Sequence, residues 1–309
     1  MRIKESMLNN VVKGLSRSMT QKEMIHLVRR IIPEYDLHKR MGVSPQHAIP
    51  HGDGARQIVR DMREWNYFPD LVSLMAQAET KGVHGRKYHF PRLGHVIQLM
   101  GEEGLIYDRE TGSFIEDSRR SISKNWGVLR EGQTSTFTIL KLDLVKNTEM
   151  VRQNDPDAVK RTFDNIREDV AEIINLRLGR IWSWEGDGAV CAFYYGSRNE
   201  QAVYAAMEIL HRLFLFNHFS NRLDRPVQMR LAITAGPIEF SQDEGKIKMA
   251  ETIKETARLE ENHTDSDSLT ITEGVYSHLP PEVLGGFKSW NLSGREQLYN
   301  YRLCWEGEQ

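Results

Sequence analysis

Thr136–Thr148 (TFTILKLDLVKNT) and Arg180–Tyr194 (RIWSWEGDGAVCAFY) decide how this chain is read. In the first stretch Phe137, Ile139, Leu140, Leu142 and Leu144 make a mostly apolar run that predicts a strand, with Asp143 near its end. In the second, Gly186-Asp187-Gly188 separates two strand-like halves, and Asp-Gly is among the strongest short hairpin signals. Asp187 alone is explained as a tight-turn residue. A strand ending in one carboxylate, beside a hairpin with another at its tip, makes a divalent-cation site. Magnesium prefers one or two carboxylates plus phosphate oxygens to an all-protein cage. The pair therefore points to phosphoryl or nucleotidyl chemistry.

Working outward, the polar stretch from Thr148 to Leu178 carries Val159, Phe163, Ile166, Val170, Ile173 and Ile174 at helical spacing. Another helix is expected over Glu200 to Phe219. Gln228 to Ala235 (QMRLAITA) reads as a strand closed by Gly236-Pro237, and Met249 to Glu261 as a helix with Ala257 and Leu259 in its core. SLTITEGVYSHL and QLYNYRLC supply the last strands. The order is the βαββαβ of a split, ferredoxin-like sheet, so the expected class is α+β.

Ahead of residue 130 the pattern is helical. Met24, Ile25, Leu27, Val28, Ile31 and Ile32 share one stripe that Pro33 should end. GARQIVRDMREWNYFPDLVSLMAQAE reads as a second amphipathic helix and LGHVIQLM as a third. GLIYDRETGSFIED predicts a hairpin, with its turn at Glu110-Thr111-Gly112. Ser118 to Gln133 is polar and is taken as the linker. The expected domains are residues 1–130, a small α-helical regulatory or interaction domain with its linker, and residues 131–309.

Composition excludes several classes. Of 309 residues, 39% are hydrophobic, enough for ordinary cores, and the net charge of −2 draws the chain neither to nucleic acid nor to anionic membrane. No apolar run approaches the roughly 20 residues of a spanning helix. Cys191 and Cys304, the only cysteines, cannot support a disulfide framework or a cysteine-based zinc site, and the expected location is a reducing cytoplasm. His84, His89 and His95 lack matching carboxylates, and no Ser-His-Asp or nucleophilic-cysteine arrangement is visible.

Four segments in order resemble the class III nucleotidyl (adenylate/guanylate) cyclase catalytic domain: KLDLVKNT, WEGDGAVCAF, MRLAITAGPIEF and IKETARLEE. The closing SLTITEGVYSHL and LSGREQLYNYRL fit as well, so the resemblance spans about residues 134 to 303. It implies that the ribose 3′-OH of a nucleoside triphosphate attacks its own α-phosphate and pyrophosphate leaves. Two Mg²⁺ or Mn²⁺ ions per site are then expected on Asp143, Asp187 and the backbone carbonyl of Leu144. Val145, Lys146, Asn147 and Thr148 open a helix and are expected to bind the triphosphate through backbone N–H groups. Arg258 matches the arginine that stabilises α-phosphate charge, a task suited to a guanidinium fork. The resemblance further implies a homodimer, with Asp143 and Asp187 from one chain meeting Arg258 of the other.

The sequence departs from that pattern at defined points. Lys254 stands where the family has the ribose-orienting asparagine, and lysine cannot copy an amide. Ser183 and Ile247 occupy the base-reading positions. Trp182, Trp184 and Glu185 crowd the hairpin where the base should sit, and Arg295 replaces a triphosphate-binding lysine. Two expectations follow. Either the site is rebuilt for another base, as in bacterial anti-phage pyrimidine cyclases, or the domain is a catalytically silent nucleotide sensor or dimerisation scaffold. The front domain faintly resembles death-like effector-associated adaptors over Met19 to Gln77, which implies a protein partner.

Overall fold

A computed structural model describes residues 3–83, 85–109, 111–117, 123–292 and 296–303. The chain forms two units, residues 1–121 and 122–309. The first is helical, with α1 (Glu5–Ser18), α2 (Gln21–Arg29), α3 (Leu37–Met41), α4 (His51–Glu64), α5 (Phe68–Thr80) and α6 (Leu93–Glu102), followed by a hairpin of β1 (Leu105–Asp108) and β2 (Ser113–Glu116). Helix α1 is unanticipated, although Met7, Leu8, Val11 and Leu15 recur at helical spacing and are all buried. Helix α2 starts at a capping box: Glu23 N–H donates to Thr20 Oγ1, and Thr20 N–H donates to Glu23 Oε2. That backbone donor, foremost, holds the Glu23 carboxyl below its ordinary range. The helix ends at Arg29, before Ile31 and Ile32.

The single helix expected across Gly54 to Glu79 is two. Asn66 takes a left-handed φ of 58° and Pro69 stands in the first turn of α5, so the helix stops at Glu64 and restarts at Phe68. Around this corner Asp61, wholly buried, accepts hydrogen bonds from Tyr35 Oη (2.8 Å), Arg40 Nη2 (2.7 Å) and Gln57 Nε2 (2.8 Å). Removing a carboxylate that satisfies three donors orphans the Tyr35 hydroxyl in the core. Asp61→Ala should cost about 3 kcal/mol in chemical denaturation; a loss within experimental error would show that these bonds do not stabilise the unit.

The second unit is built on β3 (Thr134–Leu144), then α7 (Asn147–Gln153), α8 (Pro156–Leu176), β4 (Arg180–Glu185), β5 (Gly188–Phe193), α9 (Arg198–Phe219) and β6 (Met229–Glu239). It continues with α10 (Glu244–Lys248), α11 (Glu251–His263), β7 (Ser268–Thr272), α12 (Glu273–Tyr276), α13 (Pro281–Leu284), β8 (Phe287–Leu292) and β9 (Glu296–Arg302). The strands lie in the order β4-β5-β3-β6-β7-β9-β8. The first four pair antiparallel, and β3-α8-β4-β5-α9-β6 is the expected ferredoxin-like βαββαβ. Strand β7 adds parallel to β6. The long helix expected after β3 is also two, interrupted by Asn154 and Asp155 ahead of Pro156; Asp155 caps α8 by accepting from Ala158 N–H.

Alternation along β3 divides its side chains between the two faces of the sheet. Leu140, Leu142 and Leu144 join Ile173 and Ile174 of α8 and Leu210 of α9 in one core. Lys141 and Asp143 take the other face. At the far end of that face Phe137 packs edge-on against Trp182 (4.9 Å) and beside Trp126 (6.1 Å). Trp126 is buried and its Nε1 donates to Leu178 O (2.7 Å), so residues 123–130 pack within the second unit and are not a linker.

Strand β6 does not close at Gly236-Pro237 but continues to Glu239, with Pro237 opposite Thr136. Strand β7 pairs only with Arg230 to Ile233, so Pro237 lies where β6 has become an edge and a missing N–H is tolerated. Gly236 is needed there: a Cβ would stand 2.6 Å from Thr252 Oγ1, which donates to Pro237 O (3.0 Å) and ties α11 to the strand. Gly236→Ala should destabilise the unit by about 1–3 kcal/mol, read as a lower denaturation midpoint; an unchanged midpoint would mean that α11 can retreat freely.

Candidate active site

The β3–β5 pairing sets Asp143 opposite Gly188. Asp187, next along the chain, occupies the β4–β5 turn, so the register alone brings both predicted carboxylates to one corner of the sheet. Gly188 is part of that arrangement: a Cβ on it would stand 3.0 Å from Leu142 O and 3.1 Å from Asp143 Oδ1. The turn is braced from α8, where Arg167 Nη2 donates to Gly186 O (2.9 Å) and its guanidinium lies 5.5 Å from the Trp184 ring centroid. Half-buried carboxylate oxygens with a backbone carbonyl nearby suit a hard cation that completes its shell with water and phosphate. Among the described residues no three His, Cys, Asp or Glu side chains converge, so the residues present fit such a cation only as a pair of carboxylates.

Asp143 is not bare. Arg230, its partner across the β3–β6 ladder, donates from Nη2 to Asp143 Oδ2 at 3.0 Å. On its other side Arg230 Nε lies 2.8 Å from Glu260 Oε1 of α11, and Glu260 Oε2 is 2.9 Å from Lys141 Nζ. Glu260 is only 1% exposed. Sequence reasoning missed both Arg230 and Glu260. For Arg230 the available signal was a lone charge in an apolar strand, QMRLAITA; Glu260 lies on a helix, IKETARLEE, that is charged throughout and gives no such signal.

The remaining predicted residues distribute unevenly. Val145 N–H donates to Gln228 O (2.9 Å), extending the sheet, and is not free for a phosphate. Lys146 has a left-handed φ of 57° and caps the seven-residue α7; Lys146 and Thr148 are exposed, and the Asn147 side chain lies outside the description. Ser183 sits on β4 just after a register shift, paired with Val190. Glu185 is exposed and ion-paired with Lys248 of α10. Trp182, expected to crowd the base side of the hairpin, is instead buried, with Nε1 donating to Lys124 O (3.0 Å). Ile247 is the buried residue of α10. Arg295 lies outside the described residues. Cys191 is wholly buried, and burial pushes its thiol far above the ordinary range, consistent with an inert residue.

Arg258 is elsewhere. It lies on the outer side of α11, 63% exposed, with Glu251 as its ion-pair partner (3.0 Å). With Thr234, Glu255, His263 and Thr272 it lines a cleft of about 560 Å³ that does not include Asp143 or Asp187. Lys254 lies one turn earlier on α11, half-buried. Ala257 is half-buried, not core, whereas Leu259 is buried as expected. No helix among the described residues is long and apolar enough to cross a membrane.

No protein-family model matches the chain, and no curated protein does. Solved structures similar to it include the guanylate cyclase domain of RhGC from Catenaria anguillulae in complex with GTP, at 14% identity over 55% of this chain and 97% of that chain, TM-score 0.45. The adenylyl cyclase CyaB from P. aeruginosa is similar at 15% identity over 56% and 97%, TM-score 0.47. An adenylate/guanylate cyclase/hydrolase from Silicibacter pomeroyi is similar at 20% identity over 56% and 99%, TM-score 0.47.

Gly188→Ala should displace the Asp143 carboxylate without unfolding the sheet. A Mn²⁺ titration followed by electron paramagnetic resonance should then show about tenfold weaker binding, roughly 1.4 kcal/mol. Unaltered Mn²⁺ affinity in a folded variant would separate Gly188 from the site.

Proposed function

We propose that the second unit is a nucleotidyl cyclase domain, converting a nucleoside triphosphate into a 3′,5′-cyclic nucleotide and pyrophosphate. The observation that carries the reading is the register placing Asp143 opposite Gly188, beside Asp187. In the reaction the ribose 3′-oxygen bonds to the α-phosphorus and the bond to the α–β bridging oxygen breaks. Pyrophosphate departs with that electron pair, and the 3′-OH proton passes to solvent.

Asp143 and Asp187, with the Leu144 carbonyl, would hold the metal. Bound Mg²⁺ or Mn²⁺ would supply Lewis-acid polarisation of the 3′-hydroxyl and neutralise triphosphate charge. Lys146, exposed at the cap of α7, and Thr148, exposed in its first turn, would bind phosphate oxygens. Arg258, exposed on α11 with Glu251 as its ion-pair partner, suits charge building on an α-phosphate. Because Arg258 faces a different cleft from the carboxylates in the same chain, the reading pairs two copies, each completing the other's site. Lys254 would then meet ribose or phosphate as a cation, in place of an amide. Ser183 and Glu185 are the polar groups on the base side, and Glu185 is tethered by Lys248. The helical first unit is proposed as the regulatory or partner-binding part.

One observation favours a second reading, a nucleotide sensor without turnover: Arg230 already occupies Asp143 Oδ2. Incubating the protein with ATP, GTP, CTP and UTP in Mn²⁺, with mass spectrometry of the products, separates the two. The cyclase reading expects one cyclic nucleotide, lost in Asp143→Asn. The sensor reading expects nucleotide-dependent thermal stabilisation with no pyrophosphate released. Arg258→Ala should leave the unfolding free energy within about 0.5 kcal/mol, since an exposed ion pair contributes little, yet lower turnover by about 10²–10³. Full activity in that variant would remove Arg258 from the mechanism.

A further inference from the structure

Four charges alternate across three elements on one face of the second unit: Lys141, Glu260, Arg230 and Asp143. The middle contact is irregular. Arg230 Nε and Glu260 Oε1 are 2.8 Å apart, close enough for an ion pair, yet both atoms are buried and neither makes an aligned hydrogen bond. A guanidinium is a rigid planar fork. With Nη2 drawn onto Asp143 Oδ2 at 3.0 Å, Nε is turned off the line to Glu260. The arginine is thus stretched between two carboxylates, one half-buried beside the hairpin turn and one locked in the core by Lys141.

We infer that Arg230 is a positioning residue that guards Asp143: a divalent cation must displace its guanidinium from Oδ2, and Glu260 is the anchor onto which Arg230 then relaxes. The inference rests on the metal-binding role proposed for Asp143. Its physical basis is charge and geometry. A cation on Asp143 and the Arg230 guanidinium compete for the same oxygen, so the metal-free protein keeps that carboxylate neutralised and oriented. When the metal arrives, Nη2 is released and Nε can align with Glu260 Oε1, satisfying two buried atoms that lack an aligned partner. Part of the cost of displacement is thereby returned within the protein. Glu260 is the right anchor because it cannot follow Arg230 outward: Lys141 Nζ, at 2.9 Å, fixes its other oxygen.

The signs are opposite for the two partners, which makes the idea testable without turnover. Arg230→Gln removes the competitor, and Mn²⁺ binding to the full chain, measured by electron paramagnetic resonance of the free ion, should tighten about tenfold. Arg230→Lys keeps a cation for Glu260 but loses the second arm of the fork, and should tighten binding in the same direction by less. It also guards against misfolding of the glutamine variant. Glu260→Gln removes the anchor, leaves Arg230 with Asp143 alone, and should weaken Mn²⁺ binding about tenfold. If the wild type binds Mn²⁺ and Asp143→Asn abolishes it, but both Arg230 variants bind equally well or more weakly, the guarding role is overturned while the metal site stands. If the wild type binds no Mn²⁺, or Asp143→Asn binds it unchanged, the metal reading fails and the inference with it.

Discussion

The pairing of β3 with β5 is the constraint on which the second unit's chemistry depends. Side chains on a strand alternate with a period of two, so a one-residue slip would carry Lys141 and Asp143 of β3 into the core in place of leucines. Leu140, Leu142 and Leu144 in the core against α8 and α9 forbid that slip. With the register fixed, Asp143 meets Gly188, Lys141 and Asp143 share the face under α11, and the Gly186-Asp187-Gly188 turn closes beside them. The apolar core thus specifies where the charges stand. The close approach at Gly188 adds a second lock, because a side chain there would meet both the strand carbonyl and the carboxylate.

Charge on this face is arranged as a chain, not as an isolated acidic pair. Glu260 would be costly so deeply buried on its own, and two cations, Lys141 and Arg230, make its burial tolerable. Arg230 couples that core pair to the half-buried Asp143 at the sheet corner. Opposite the helices α8 and α9, the sheet is therefore divided in kind: an aromatic group around Phe137, Trp182 and Trp126 at one end of β3, and an ionic chain at the other. Helix α11 lies over β3 and β6, tied by Thr252 at Pro237 and by Glu260 at Arg230. The same helix carries the half-buried Lys254 and the exposed, Glu251-paired Arg258, so it braces its own sheet while presenting Arg258 to solvent.

Much of this was legible in the sequence, and the rest was hidden for identifiable reasons. The strands around Asp143 and Asp187 announced themselves through apolar runs and a Gly-Asp-Gly turn, and the βαββαβ order followed. Helix breaks were harder, because the pattern carries on through Asn66 and past Asn154; only a left-handed φ in one case and a proline-directed restart in the other end those helices. The stretch around Trp126 looked polar and linker-like, yet one tryptophan reaching Leu178 folds it into the second unit. Strand β6 outran Gly236-Pro237 because its neighbour β7 stops first. Arg230 and Glu260 are 30 residues apart in sequence, and only the packing of α11 on β6 makes them partners. A lone charge inside an apolar strand was the available clue, but its counter-ion is a tertiary fact.

The most direct measurement is anomalous X-ray diffraction from crystals of the protein grown with Mn²⁺ and a non-hydrolysable nucleoside triphosphate analogue. The proposed site requires an anomalous peak within bonding distance of both Asp143 and Asp187, with Arg230 withdrawn from Asp143 Oδ2. A peak that touches neither carboxylate, in crystals where the analogue is bound, would contradict it.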